Sequence, residues 1–269
     1  MIMIICQTFV PGGINPPEAL EAAGALSGLL PEESQRSYAR MMLYRLAGKA
    51  AGECEDRYFI AMEDGQCVSR IWYGWGRHQD AVGNFGNFRT REDHQGRGIG
   101  RSLLNMLIAS VRNSADLPRC LFCTCSQPHL IRMYAELGFR PALKGTDRGL
   151  LYCPLGGSPD TFDGFIREYY RPAQSLHFAP GTVGFRHEVD CLLAFSLCAA
   201  GEMNTLGLKS FPTYEAAFLA LAEDPASGKL ERVVTEDGRT VGWAFTPAGG
   251  EREIQLYPAF RKMIIQERL

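Results

Sequence analysis

Glycine stands at every second position of Gly96-Arg97-Gly98-Ile99-Gly100, inside the longer run Gln95 to Ser102. The run follows a strand-like segment ending near Thr90. It precedes apolar residues at helical spacing: Leu103, Leu104, Met106, Leu107 and Val111. Glycine lets a backbone curl tightly and approach a ligand with no side chain between them. A helix that starts here opens with N–H groups that have no intrahelical acceptor, at the positive end of its dipole. Strand, glycine turn and helix start together make an anion site suited to a diphosphate. Arg97 and Arg101 add positive charge. The spacing differs from the dinucleotide pattern G-x-G-x-x-G, and the polar run Arg91 to His94 separates the loop from the strand.

The rest of the chain requires such a site to be local. It has 28 Lys and Arg against 30 Asp and Glu, a net charge of −2, so no basic excess supports general nucleic-acid binding. No run approaches the roughly 18 apolar residues of a membrane span. The apolar start, Met1 to Ile5, has no preceding basic segment and gives way to Pro11-Gly12-Gly13, so no secretory leader is expected. The nine cysteines then read as reduced thiols in a cytoplasm. Cys120, Cys123 and Cys125 resemble metal-ligand spacing, but on a strand Cys120 points away from the other two and no second close ligand pair accompanies them. No metal is expected.

Residues 3–10 read as a strand. Helical spacing follows at Leu20, Ala23, Leu26 and Leu30, then in a second helix capped near Glu33 or Ser34, carrying Tyr38, Met41, Met42 and Arg45 and stopping at Gly48 or Gly52. Tyr58–Met62 and Cys67–Tyr73 form a hairpin through Asp64-Gly65. Residues 74–83 read as a loop and 84–90 as a strand with Phe88 and Thr90 on one face. After the glycine loop come a helix to about Asn113, a strand over 119–125, a helix opened by Pro128 and closed by Gly138, and paired strands from Phe139 and over 149–155. Gly156 to Asp160 marks a boundary between a domain over 1–155 and an α+β region over 160–269. That region has helices near 188–203 and 213–222 and strands near 230–235, 240–246 and 253–257. The hairpin sequence around Asp64-Gly65 recurs around Asp237-Gly238, which leaves open a partial second copy of the first domain.

Two motifs in this order carry a family resemblance over residues 1–155. Gln95-Gly96-Arg97-Gly98-Ile99-Gly100 resembles the Gln/Arg-x-x-Gly-x-Gly/Ala loop of the GNAT superfamily of acyl-CoA N-acyltransferases. Ile131-Arg132-Met133-Tyr134-Ala135-Glu136-Leu137-Gly138-Phe139 is similar to that family's helix-into-strand segment, where a Tyr precedes a Gly-Phe pair. The resemblance implies an α/β (α+β) fold: a mixed, mostly antiparallel sheet flanked by helices, with two central strands splayed to admit acyl-CoA.

On this chain the resemblance assigns carrier binding to Phe88, Arg89 and Thr90, to Gln95, Gly96, Arg97, Gly98, Ile99, Gly100, Arg101 and Ser102, and to Gln127, which stands where the family often has Asn. It assigns Tyr134 as the acid that protonates the departing thiolate. A backbone N–H from the strand ending at Thr90 would stabilise the oxyanion. The implied reaction is transfer of an acetyl or other acyl group from acyl-CoA, as co-substrate, to a primary amine on a small molecule or a protein. A non-catalytic CoA-binding or interaction module is the alternative. Glu63, Asp80, Asp93 and His94 are candidate bases, though turn chemistry accounts for the residues before the loop. The acceptor, the acyl length and the oligomeric state are not readable from the sequence.

Overall fold

The computed structural model describes residues 4–13, 36–125, 127–143, 149–189, 192 and 214–266. The expected helix through Leu20 to Leu30, the cap of the next helix and most of 190–203 lie outside these residues. The chain divides into two compact units: Met1–Arg77 with Gly83–Leu117, and His78–Val82 with Pro118–Leu269.

The first unit holds four consecutive antiparallel strands in spatial order, β1 (Ile5–Phe9), β2 (Cys54–Glu63), β3 (Gln66–Gly76) and β4 (Gly83–Thr90). Helix α1 (Arg36–Leu46) covers one face and α2 (Ile99–Arg112) the other. On the α1 face the Tyr58 hydroxyl donates to Met42 Sδ at 3.4 Å. Arg45, with no exposed surface, pairs with the buried Asp56, which also accepts the Trp72 indole N–H at 2.8 Å. On the α2 face Arg57 donates to Ser110 Oγ at 3.0 Å, and the Tyr73 and Ser110 hydroxyls lie 3.0 Å apart. Alternation along β2 sends Asp56 and Tyr58 one way and Arg57 the other. Helix α2 buries Ile99, Leu103, Leu104, Leu107, Ile108 and Val111, an apolar stripe at helical period.

The β2–β3 hairpin turns at Asp64 (φ +50°) and Gly65 (φ +73°), the left-handed pair that a tight two-residue turn requires. Both strands outrun the expected bounds: β2 starts at Cys54 and β3 reaches Gly76. Gly74 can sit in β3 because a Cβ there would meet Asp56 Oδ1 at 2.5 Å and the Trp72 ring at 2.7 Å.

The second unit contains two groups of strands. β5 (Cys120–Cys125), β7 (Gly149–Pro154) and β6 (Arg140–Pro141) pair antiparallel in that spatial order. β8 (Leu176–Pro180), β9 (Gly228–Thr235), β10 (Thr240–Pro247) and β11 (Glu253–Leu256) form a second antiparallel succession, with β12 (Ile265–Gln266) parallel to β8. Helices α3 (Pro128–Ala135), α4 (Phe162–Tyr169) and α5 (Tyr214–Glu223) belong to this unit. Its core gathers Cys120, Phe122, Tyr152, Phe165, Val233 and Trp243. Thr161 caps α4 by accepting the Gly164 N–H at 3.2 Å.

Candidate functional site

In the first unit the glycine run takes the backbone from β4 into α2. A short 3₁₀ turn, Glu92–His94, leads into Gln95. Gly96 (φ +73°) and Gly98 (φ +76°) are left-handed, and a Cβ at either would meet nothing within 4 Å, so that space is open. Gly98 is the N-cap of α2, and the first backbone bond of the helix runs from the Ser102 N–H to the Gly98 carbonyl at 3.0 Å. The amides of Ile99, Gly100 and Arg101 therefore precede that bond, where an anion is favoured. Ser102 Oγ also donates to the Gly98 carbonyl, at 3.2 Å. Gly100 is required for a different reason. A Cβ there would lie 2.8 Å from Phe88 Cζ and 3.3 Å from Thr90 Oγ1, so its bare backbone rests directly on β4.

Phe88 and Thr90 share one side of β4 by alternation, and a bulge turns that side toward α2. Arg70 pairs with Arg89 but Trp72 pairs with Gly86, so Ile71 is opposite both Asn87 and Phe88, and Asn87 is left-handed (φ +53°). The Thr90 and Ser69 hydroxyls are 2.8 Å apart, and Gln95 Nε2 donates to the Thr90 carbonyl at 3.2 Å. Arg89 and the residues from Gln95 to Gly98 are exposed.

Arg97, expected to add positive charge beside the loop, does not stand alone. It is paired with Glu63 at 2.9 Å. Three of the four candidate bases form one closed cluster with it. The buried His94 sits between Asp93, 2.7 Å from Nδ1, and Glu63, 2.5 Å from Nε2, while Arg91 holds Asp93 at 2.7 Å. Hydrogen bonds from His94 and then Arg91 pull the Asp93 carboxyl down to about 2, and those from His94 and Arg97 lower Glu63. Bonds to Asp93 and Glu63 raise His94. The fourth candidate, Asp80, pairs with Arg119 at 3.1 Å within the second unit. This clustering could not be read from the sequence, which separates Glu63 from His94 by a hairpin and a strand.

Tyr134 and Gln127 belong to the second unit. Tyr134 lies on α3, buried, its ring 6.2 Å from that of Phe139. Burial, reinforced by the nearby Cys123 and Cys125, pushes its phenol far up, so it stays protonated at any ordinary pH. The Phe139 and Leu137 N–H groups donate to the Tyr134 carbonyl, and Gly138 (φ +101°) makes the turn into β6. Gln127 caps α3 through its backbone, its carbonyl accepting the Leu130 and Ile131 N–H groups, and its side chain is exposed. Cys120, Cys123, Cys125 and Cys153 are buried and in no disulfide, and burial raises Cys120 and Cys123 well above the usual range. Among the described residues no group of three or more metal-ligating side chains converges.

Residues 25–139 match the family model for the acetyltransferase (GNAT) family. This match spans less than half of the chain and takes in both the glycine run and the segment from Ile131 to Phe139. No curated protein matches the chain. Among solved structures, a GNAT family acetyltransferase from Brucella melitensis in complex with acetyl-CoA is 17% identical, covers 59% of this chain and 92% of its own, and gives a TM-score of 0.41. YhbS from Escherichia coli in complex with CoA is 18% identical, with 57% and 83% covered and a TM-score of 0.40. The ribosomal-protein-S18-alanine N-acetyltransferase from Escherichia coli is 20% identical, with 58% and 97% covered and a TM-score of 0.36.

Proposed function

We propose that this chain transfers an acetyl group from acetyl-CoA to a primary amine, on a small molecule or a protein, by direct attack. One observation carries the reading: in the segment that matches the GNAT family, two left-handed glycines over open space present the start of α2 as a diphosphate cradle. The amides of 99–101 hold the diphosphate, with Arg101 and Ser102 beside them. The main chain at Phe88, Arg89 and Thr90 lies along the pantetheine arm and directs an N–H at the thioester carbonyl, stabilising the oxyanion. The amine nitrogen bonds to the carbonyl carbon, the C–S bond breaks, and the amine proton leaves to solvent. Tyr134, kept protonated by burial, donates to the departing thiolate. The exposed amide of Gln127 is assigned to the carrier in this reading. Glu63, Asp93 and His94 are consumed by one another and are not assigned as the base.

Residues 1–155 act as the acyl-CoA-binding catalytic domain in this reading. Residues 160–269 shape the acceptor site as a partial second copy. That assignment draws on the shared succession of β1–β4 and β8–β11, each four antiparallel strands whose first connection carries a helix. The reduced cysteines fit a cytoplasmic setting, and among the described residues no helix is long and apolar enough to cross a membrane. The test is release of free CoA from acetyl-CoA on addition of each member of an amine panel. Acceptor-dependent release supports the reading. Tight CoA binding with no acceptor-dependent release across the panel refutes catalysis and leaves a binding module.

A further inference from the structure

The Asp93–His94–Glu63–Arg97 chain links two places that the proposed chemistry leaves unconnected: the tip of the β2–β3 hairpin and the loop that enters α2. Glu63 is the last residue of β2, and its two carboxylate oxygens are divided, Oε2 to His94 and Oε1 to Arg97. Arg97 lies between the two left-handed glycines of the loop. His94 is buried although its neighbours Glu92, Asp93 and Gln95 are exposed. Both ring nitrogens face carboxylate oxygens, and only an imidazolium can donate to both. The charged groups around it are Asp93 on its own turn, Glu63 on β2, Arg91 at the start of the turn and Arg97 on the loop. With His94 protonated this cluster carries one net positive charge; with His94 neutral it carries none.

The geometry points to His94 as a positioning residue that latches the diphosphate loop to the hairpin and couples acyl-CoA affinity to pH. The inference rests on the carrier site proposed above. A neutral imidazole has one N–H, so losing the proton leaves Glu63 or Asp93 facing a bare lone pair. The Glu63 end carries Arg97, and through it the loop backbone, so the latch loosens there. Because the partners raise the His94 midpoint above the ordinary 6.5, the latch is closed below that value and opens as pH rises through the raised midpoint. The carrier is an anion, so the lost positive charge and the loosened loop both weaken binding. A unit charge within about 10 Å of a phosphate at intermediate dielectric corresponds to about fivefold in affinity.

The test is calorimetric titration with CoA from pH 6 to 9 at fixed ionic strength, on the full chain and on His94→Gln and Glu63→Gln. The second ionisation of the CoA phosphomonoester, near 6, makes the ligand more anionic over the same range and would strengthen binding. The variants share that contribution, so the comparison removes it. The expected result is a wild-type affinity that falls about fivefold relative to His94→Gln as pH rises. In Glu63→Gln the dependence should move to lower pH, because one of the two carboxylates that raise His94 is gone. Independently of any variant's folding, the wild-type His94 ring signal in NMR should titrate above 6.5. CoA should raise its midpoint by about 0.7 unit, the reciprocal of fivefold. Parallel pH profiles in wild type and His94→Gln, or a midpoint that CoA does not move, overturn the latch while leaving the carrier site standing. Failure of the wild-type chain to bind CoA at any pH overturns both.

Discussion

The loop geometry makes its sharpest prediction at Gly98, through two substitutions that differ only in charge. Gly98 has φ +76° and ψ 0°, with nothing within 4 Å of where a Cβ would stand, so any side chain there costs backbone strain and no collision. For Ala that strain is about 1–2 kcal/mol, and for Asn or Asp it is smaller because short polar side chains tolerate this region. Gly98→Asn should therefore lower the melting temperature by a few degrees at most and weaken acetyl-CoA binding by about tenfold or less. Gly98→Asp has nearly the same shape and should fold as well as the Asn variant. However, its carboxylate would stand about 5 Å from the proposed diphosphate position, where like charges at an effective dielectric near 20 repel by about 3 kcal/mol. Calorimetry at pH 7.5 should then show acetyl-CoA binding at least about a hundredfold weaker for Asp than for Asn, with melting temperatures that match. An Asp variant that binds within threefold of the Asn variant would refute the reasoning, because the diphosphate would have to lie elsewhere.

Three other outcomes follow from particular contacts. Tyr134→Phe keeps the ring against Phe139 and removes the proton donor, so kcat should fall about 10²-fold or more while CoA affinity changes little; equal losses in both would assign the phenol to binding. Asp56→Ala leaves the fully buried Arg45 without its carboxylate and the Trp72 indole without its acceptor, and should cost about 3–5 kcal/mol in chemical denaturation, with much of it recovered in Arg45→Met/Asp56→Leu; no recovery would show that the pair itself is stabilising. Burial opposes ionisation of Asp237, but Thr235 and Arg239 hold it down to about 2, so its contribution is full above pH 4 and lost as pH falls through 2. The stability gap between wild type and Asp237→Asn should shrink over that window, and a gap constant from pH 6 to 2 would contradict it.

Local chemistry made the glycine turn before α2, the Asp64-Gly65 hairpin and the Pro128-to-Gly138 helix legible, since each announces itself through glycine, proline and periodic apolar residues. What escaped depends on partners far along the chain. The start of β2 reads as a polar loop because Glu55, Asp56 and Arg57 are charged, yet Arg77, Arg45 and Ser110 make their burial tolerable. Helix α4 carries Phe162, Phe165 and Tyr169 at helical spacing behind the Thr161 cap, but eight residues give too short a period to set it apart from the loop before it. In the candidate site, the left-handed glycines were legible as a turn, whereas the pairing of Arg97 with Glu63 was not, because no spacing rule links a hairpin tip to a loop 34 residues later.

The bulge in β4 decides which side chains meet the glycine loop. Without the bulge, strict alternation through Asn87 would place Arg89 over Gly100 and turn Phe88 and Thr90 to the opposite side of the sheet. A flat aromatic and a small hydroxyl would give way to a long cation, and the close seat that obliges position 100 to be glycine would disappear. Two residues set against Ile71 thus work as a parity switch: deleting Asn87 should keep Phe88 and Thr90 under the loop, whereas regular pairing with Asn87 retained should cost the loop its footing.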